Sequence, residues 1–197
     1  MSYRTIILFL VFFIFTSPFE GQKGDEMSPY QEYLLQIKEY RKNCRNALKP
    51  YRYDGSLTTH FSYKEYTYAK EIEIATIQNE IYRLSFNAMG ITDDGISIKI
   101  YDKAKRYNNR TLLYEKDNVT GIEFIIETND MIDKFKQSKR EQGVEENVIS
   151  HLRLKKLYID YIIPAKDRVF ETNEEDGLET KVITKGAVIL AVGYNNL

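Results

Sequence analysis

Hydrophobic residues fall into three regimes along the chain. The first is an almost unbroken apolar run, Ile6-Ile7-Leu8-Phe9-Leu10-Val11-Phe12-Phe13-Ile14-Phe15, preceded by one positive charge at Arg4. It is too short for a membrane-spanning helix, which needs about 20 residues, and fits the roughly 7–15 residues of a signal-peptide core. Ser17-Pro18 breaks the run, and cleavage is expected near Gly21–Gln22. The alternative is an uncleaved N-terminal anchor. In the second regime apolar residues recur at helical spacing, at Tyr30, Tyr33, Leu34, Ile37, Tyr40, Cys44 and Leu48. Ser28-Pro29-Tyr30-Gln31 has the form of a capping box with proline at the first helical position. Pro50 stops the predicted helix, and Lys38, Glu39, Arg41 and Lys42 occupy its polar face.

After Pro50 the period becomes two. Tyr63–Tyr68 is read as strand, and Glu71–Ile74, Tyr82–Ala88, Ile96–Tyr101 and Ile122–Glu127 alternate cleanly. Thr92-Asp93-Asp94-Gly95 and Lys116-Asp117-Asn118 read as turns. The charged stretch 129–156 interrupts the rhythm, as either a broken helix or an irregular loop. Leu157–Ile163 returns to strand, 166–181 reads as an acidic surface loop, and Ala187–Gly193 is apolar enough for a central strand covered on both faces. The expected core holds Leu34, Ile37, Ile72, Ile74, Leu84, Phe86, Ile98, Ile100, Ile122, Phe124, Ile159, Val188 and Leu190.

The blocks KEIEIATIQNEIYRLSFN, ISIKIYDK, LYIDYIIPA and KGAVILAVGY resemble uncharacterised exported bacterial proteins with a capped N-terminal helix and a β-sandwich. Tyr82–Asn87 and Ile100–Lys103 more distantly resemble the pre-peptidase C-terminal type of jelly-roll domain. The resemblance implies an exported, generally non-catalytic domain and transfers no catalytic residues. The expected fold is therefore mainly β: an antiparallel, jelly-roll-like β-sandwich with one N-terminal amphipathic helix. Residues 1–21 form the removed signal peptide, 22–50 the helical segment and 51–197 the sandwich, in the periplasm or secreted.

Composition narrows the chemistry. There are 28 basic and 29 acidic side chains, a net charge of −1, which gives no long-range field for nucleic acid. Cys44 is the only cysteine, so no internal disulfide forms, and its place on the helix stripe makes it a buried structural residue. The histidines, His60 and His151, lie apart in the sequence, and no Gly-x-Ser-x-Gly nucleophile pattern occurs. The pairs Glu71/Glu73 and Glu123/Glu127 put charge on one solvent face of a strand. Asp93, Asp94 and Asp102 form a candidate oxygen-ligand set for calcium, against the alternative of solvated turns. Of the 16 tyrosines, Tyr51, Tyr53, Tyr63, Tyr66, Tyr68 and Tyr101 are candidate ligand-binding residues, because tyrosine combines contact area with a polar tip. The expected function is a non-enzymatic binding or structural module of the cell envelope. Its expected partner is a protein or envelope component, with carbohydrate as a second ligand class. A hydrolase of glycans or esters, using acids at the sandwich end, is the alternative.

Overall fold

The computed structural model describes residues 27–77, 80–89, 91, 95–121, 123–167, 169–172, 179–182 and 185–196. The expected signal peptide, the turn expected at Asp93-Asp94, and Ile122 therefore lie outside the described residues. The chain opens with helix α1, Pro29–Ala47. The predicted capping box is present: Ser28 Oγ accepts from the Gln31 amide at 3.3 Å, and Gln31 Oε1 accepts from the Ser28 amide at 2.9 Å.

Ten strands follow among the described residues: β1 Arg52–Ser62, β2 Tyr68–Ala75, β3 Glu80–Met89, β4 Ile96–Tyr101, β5 Leu112–Val119, β6 Phe124–Glu127, β7 Lys156–Ile163, β8 Val169–Thr172, β9 Glu179–Val182 and β10 Lys185–Asn196. Between β6 and β7 come α2, Thr128–Glu141, and α3, Glu146–His151, so the interrupting stretch is largely helical.

One four-stranded sheet has the order β1-β10-β3-β6 and the other β2-β7-β4-β5; β8 and β9 form a separate hairpin. Every pairing within the two large sheets is antiparallel. Among the sandwich strands the first pairs with the last (β1·β10), the second with the seventh (β2·β7), the third with the sixth (β3·β6) and the fourth with the fifth (β4·β5). This is one long antiparallel hairpin rolled up until β10 also meets β3 and β7 also meets β4, the jelly-roll arrangement.

Alternation puts Leu84, Phe86 and Ala88 of β3 and Val188 and Leu190 of β10 on one inner face. Ile98 and Ile100 of β4 and Leu157, Ile159 and Tyr161 of β7 face them from the other sheet. Met131 and Phe135 of α2 join the same core. β10 is buried on both faces, as predicted: its other side chains, Ile189 and Ala191, pack against Cys44 and Leu48 of the α1 segment. The molecule thus has three layers, α1 on sheet β1-β10-β3-β6 on sheet β2-β7-β4-β5.

Several sequence expectations are corrected. Tyr63–Thr67 is the connection after β1, not a strand, and Tyr68 opens β2; the strand before it is Arg52–Ser62, where Asp54 marks a register shift at the sheet edge. Lys116–Asn118 continues β5, with Asn118 at φ 52° in a bulge opposite β4. The flanks of the acidic loop pair as β8 and β9. Leu34, expected in the core, is 46 % exposed, while Ile72, Ile74 and Phe124 are only partly buried.

Gly186 is a steric requirement. A Cβ there would stand 2.5 Å from Phe61 Cζ, and the Phe61 ring is buried and held edge-on against Tyr63. Gly186→Ala is expected to destabilise the fold by about 1–3 kcal/mol, the usual cost of overpacking. Urea unfolding checks this: an unchanged midpoint would mean that the ring yields freely.

Candidate functional site

The six candidate tyrosines separate into three places. Tyr51 and Tyr53 lie at the start of β1, beneath the C-terminal end of α1. Arg83 stacks 4.2 Å from the Tyr51 ring centroid and Arg45 stacks 4.5 Å from that of Tyr53. Arg83 also donates to the Lys49 carbonyl at 2.6 Å and to Glu127 Oε1 at 2.5 Å, so this end is a structural clasp joining α1, β3 and β6. Tyr101 lies on the outer face of the other sheet, covered by Arg110 at 3.7 Å. Tyr63, Tyr66 and Tyr68 do come together, in and beside the β1–β2 connection. Tyr66 meets Tyr68 edge-on at 6.2 Å, Lys64 lies over both rings, and the Tyr68 hydroxyl donates to the Ser62 carbonyl at 2.6 Å.

Next to this cluster a groove of about 1250 Å³ opens between the first half of α1 and the β1–β2 end of the sandwich. Its origin is the amphipathic pattern of the helix. Ile37, Cys44 and Leu48 are the buried apolar positions of this segment, so the C-terminal half is fixed to β10 and the N-terminal half projects over the sheet edge. Tyr30, Tyr33, Leu34 and Ile37 form the helical wall, and Phe61 and Gly186 contribute the opposite side. Tyr30 is 69 % exposed, unusual for a large apolar side chain on a packed helix.

Five cations also line the groove: Lys38 and Arg41 from the helix, Lys64 from the β1–β2 connection, and Lys70 and Lys185 from the strands. No carboxylate lines it among the described residues. Arg41 donates to Thr58 Oγ1 at 2.9 Å, Lys70 to the His60 carbonyl, and Lys64 to the Tyr66 hydroxyl at 3.1 Å, all uncharged acceptors. Tyr33 Oη and His60 Nδ1 are 2.8 Å apart and tie the helix to β1. His60 thus has a partner in the groove wall while staying exposed, and His151 ends α3, also exposed.

The acids are arranged differently. Arg110 reaches Asp160 Oδ2 at 2.7 Å and Glu71 at 3.9 Å, Lys99 pairs with Glu115, Lys156 with Glu73 at 2.5 Å, and Arg140 with Glu146 at 2.9 Å. Hydrogen bonds from Lys156 and from Arg140 hold Glu73 and Glu146 below the ordinary carboxylate range, the opposite of what a general acid needs. Asp102 Oδ1 accepts from the Thr111 amide at 2.5 Å, closing the β4–β5 connection. Its Oδ2 is buried without a hydrogen-bond partner, 3.8 Å from Lys139 Nζ, beside a small hollow of about 270 Å³. Gly95 and Asp102 flank the six residues of β4, a rise of roughly 20 Å. Among the described residues no group of three or more carboxylates, histidines or cysteines gathers as a metal site.

Cys44 is fully buried against β10, and burial pushes its thiol up to about 11, despite a hydrogen bond with Ser85. Because the folded thiol keeps its proton where an unfolded one loses it, stability should fall as pH rises from about 9 through about 11. In the native protein at pH 8, Cys44 is expected to resist iodoacetamide and to react once denatured. Equal labelling rates in the two states, measured by mass, would contradict this burial.

Comparison with known proteins found no matching family model and no matching curated protein. No helix among the described residues is long and apolar enough to cross a membrane.

Proposed function

We propose that the protein is an exported binding module of the cell envelope and that the groove beneath the N-terminal half of α1 is its ligand site. The observation that carries this reading is the contrast between the groove and the rest of the surface. Elsewhere Arg83, Lys99, Arg110, Lys139, Arg140 and Lys156 meet carboxylates; in the groove five cations and several large apolar side chains face one concavity with no acid among its described lining. Exposed apolar surface of this kind marks interaction sites. Export is supported by the leader-like run at Ile6–Phe15. The non-catalytic reading is supported by the engagement of Glu71, Glu73, Glu115, Glu127 and Asp160 with cations.

Thermal unfolding of the chain against envelope glycans, amphiphiles and calcium tests this. A ligand at about 100 times its Kd stabilises the fold by roughly 2.7 kcal/mol, which raises the midpoint by about 5–10 °C. A rise that disappears when Leu34 and Lys38 are replaced is the expected result. Turnover of ester or glycoside substrates that vanishes on replacing a carboxylate would overturn the proposal in favour of a hydrolase.

A further inference from the structure

We infer that the ligand of this groove is an anionic amphiphile, a molecule with an aliphatic body and a phosphate or carboxylate head. The inference rests on the groove being the ligand site and names the chemistry that fills it.

Two requirements meet in one concavity. The first is charge. Among the described residues Lys38 and Lys185 make no ion pair, and Arg41, Lys64 and Lys70 use uncharged acceptors. The buried or half-buried cations on the sheets are different: Arg83 meets Glu127 and Arg110 meets Asp160. Cations crowded without counter-charge repel one another, and an anionic head relieves that repulsion while accepting hydrogen bonds from them. The second requirement is apolar cover. Tyr30 and Leu34 stand 69 % and 46 % exposed on the helical wall, so an aliphatic chain laid along them removes surface from water at about 25 cal/mol per Å². A free inorganic anion leaves this wall wet. A neutral glycan leaves the cations without counter-charge. Only a ligand with both parts answers both observations.

The test is calorimetric titration of the full chain with three probes. These are dodecyl phosphate below its micelle concentration, dodecyl maltoside, which has the same tail on a neutral head, and inorganic phosphate, a head without a tail. Two variants accompany them, Leu34→Ser and the double Lys38→Glu/Lys185→Glu; all three positions are exposed, and unchanged thermal midpoints establish that both variants fold. The expected result is one dodecyl phosphate per chain, bound at least tenfold more tightly than either other probe. Affinity should fall about fivefold in Leu34→Ser and more than tenfold in the charge-reversed variant. It should also weaken severalfold as salt rises from 0.05 to 0.5 M, because exposed charges are screened. Dodecyl maltoside binding as tightly, with the same loss in Leu34→Ser, would overturn the anionic head while leaving the groove as the ligand site. Phosphate binding as tightly as dodecyl phosphate would overturn the aliphatic body. Dodecyl phosphate binding that neither variant weakens, or no binding of any probe, would overturn the inference; the undiminished binding would also place the ligand site outside the groove.

Discussion

Replacing Arg110 by alanine is expected to destabilise the protein by about 3–5 kcal/mol, the cost of stripping the partner from a buried charge. Asp160 lies on the outer face of β7 with a side chain only 1 % exposed, and Arg110 covers it. The guanidinium donates to Asp160 Oδ2 at 2.7 Å, lies 3.7 Å from the Tyr101 ring centroid and approaches Glu71 at 3.9 Å. Asp160 Oδ1 already lacks a hydrogen-bond partner, so the arginine is what makes the carboxylate tolerable there. In register across the sheet, Asp160 faces Glu71 on one side and Lys99 on the other. Without Arg110, Asp160 and Glu71 would be like charges side by side. Urea unfolding of Arg110→Ala measures the loss. The double variant Arg110→Met/Asp160→Leu should recover most of it, since an apolar pair can replace a buried ion pair without penalty. A loss under about 1 kcal/mol in the single variant would identify the pair as an ordinary surface salt bridge.

The second large effect is expected at Phe86. Its side chain is fully buried at the centre of β3, opposite Leu190 of β10, and its ring stacks on Phe124 of β6 with centroids 5.0 Å apart. Phe86→Ala should cost about 3–5 kcal/mol, combining lost transfer energy with a cavity the two sheets cannot close. The urea midpoint should fall with an unchanged slope. A smaller loss with a changed slope would mean that the two sheets do not share one core.

The sandwich was legible because its strands alternate. Ile96, Ile98 and Ile100 against Ser97, Lys99 and Tyr101 state both the strand and its buried face. The run at Ala187–Val192 announced a strand covered twice, because neither face carries a charge. β1 was hidden for the opposite reason. As an edge strand it buries little, and Arg52–His60 carries polar residues with a turn-like Asp54-Gly55. Leu34 was misplaced in the core because periodicity identifies the apolar stripe of a helix, not how far along its length the stripe is covered.

The site was less legible than the fold. Tyrosine clustering in sequence brought together Tyr63, Tyr66 and Tyr68, but the length of β1 separates them from Tyr51 and Tyr53, which arginines cover. Lys38 and Arg41 read as the solvated face of α1, and nothing local joins them to Lys70 and Lys185. The jelly-roll roll-up does that, by placing the start of β10 beside the end of β1, with Ser62 opposite Lys185. The one signal available beforehand was spacing: Tyr30, Leu34, Lys38 and Arg41 follow helical intervals, setting exposed apolar and cationic residues on one stripe.

The most direct test of the groove as ligand site is NMR mapping of amide shifts as dodecyl phosphate is added. The account predicts that Leu34, Lys38, His60, Lys70 and Gly186 move together and saturate at one ligand per chain. Shifts concentrated instead around Asp102, Lys139 and Arg153, at the smaller hollow beside α2, would contradict it.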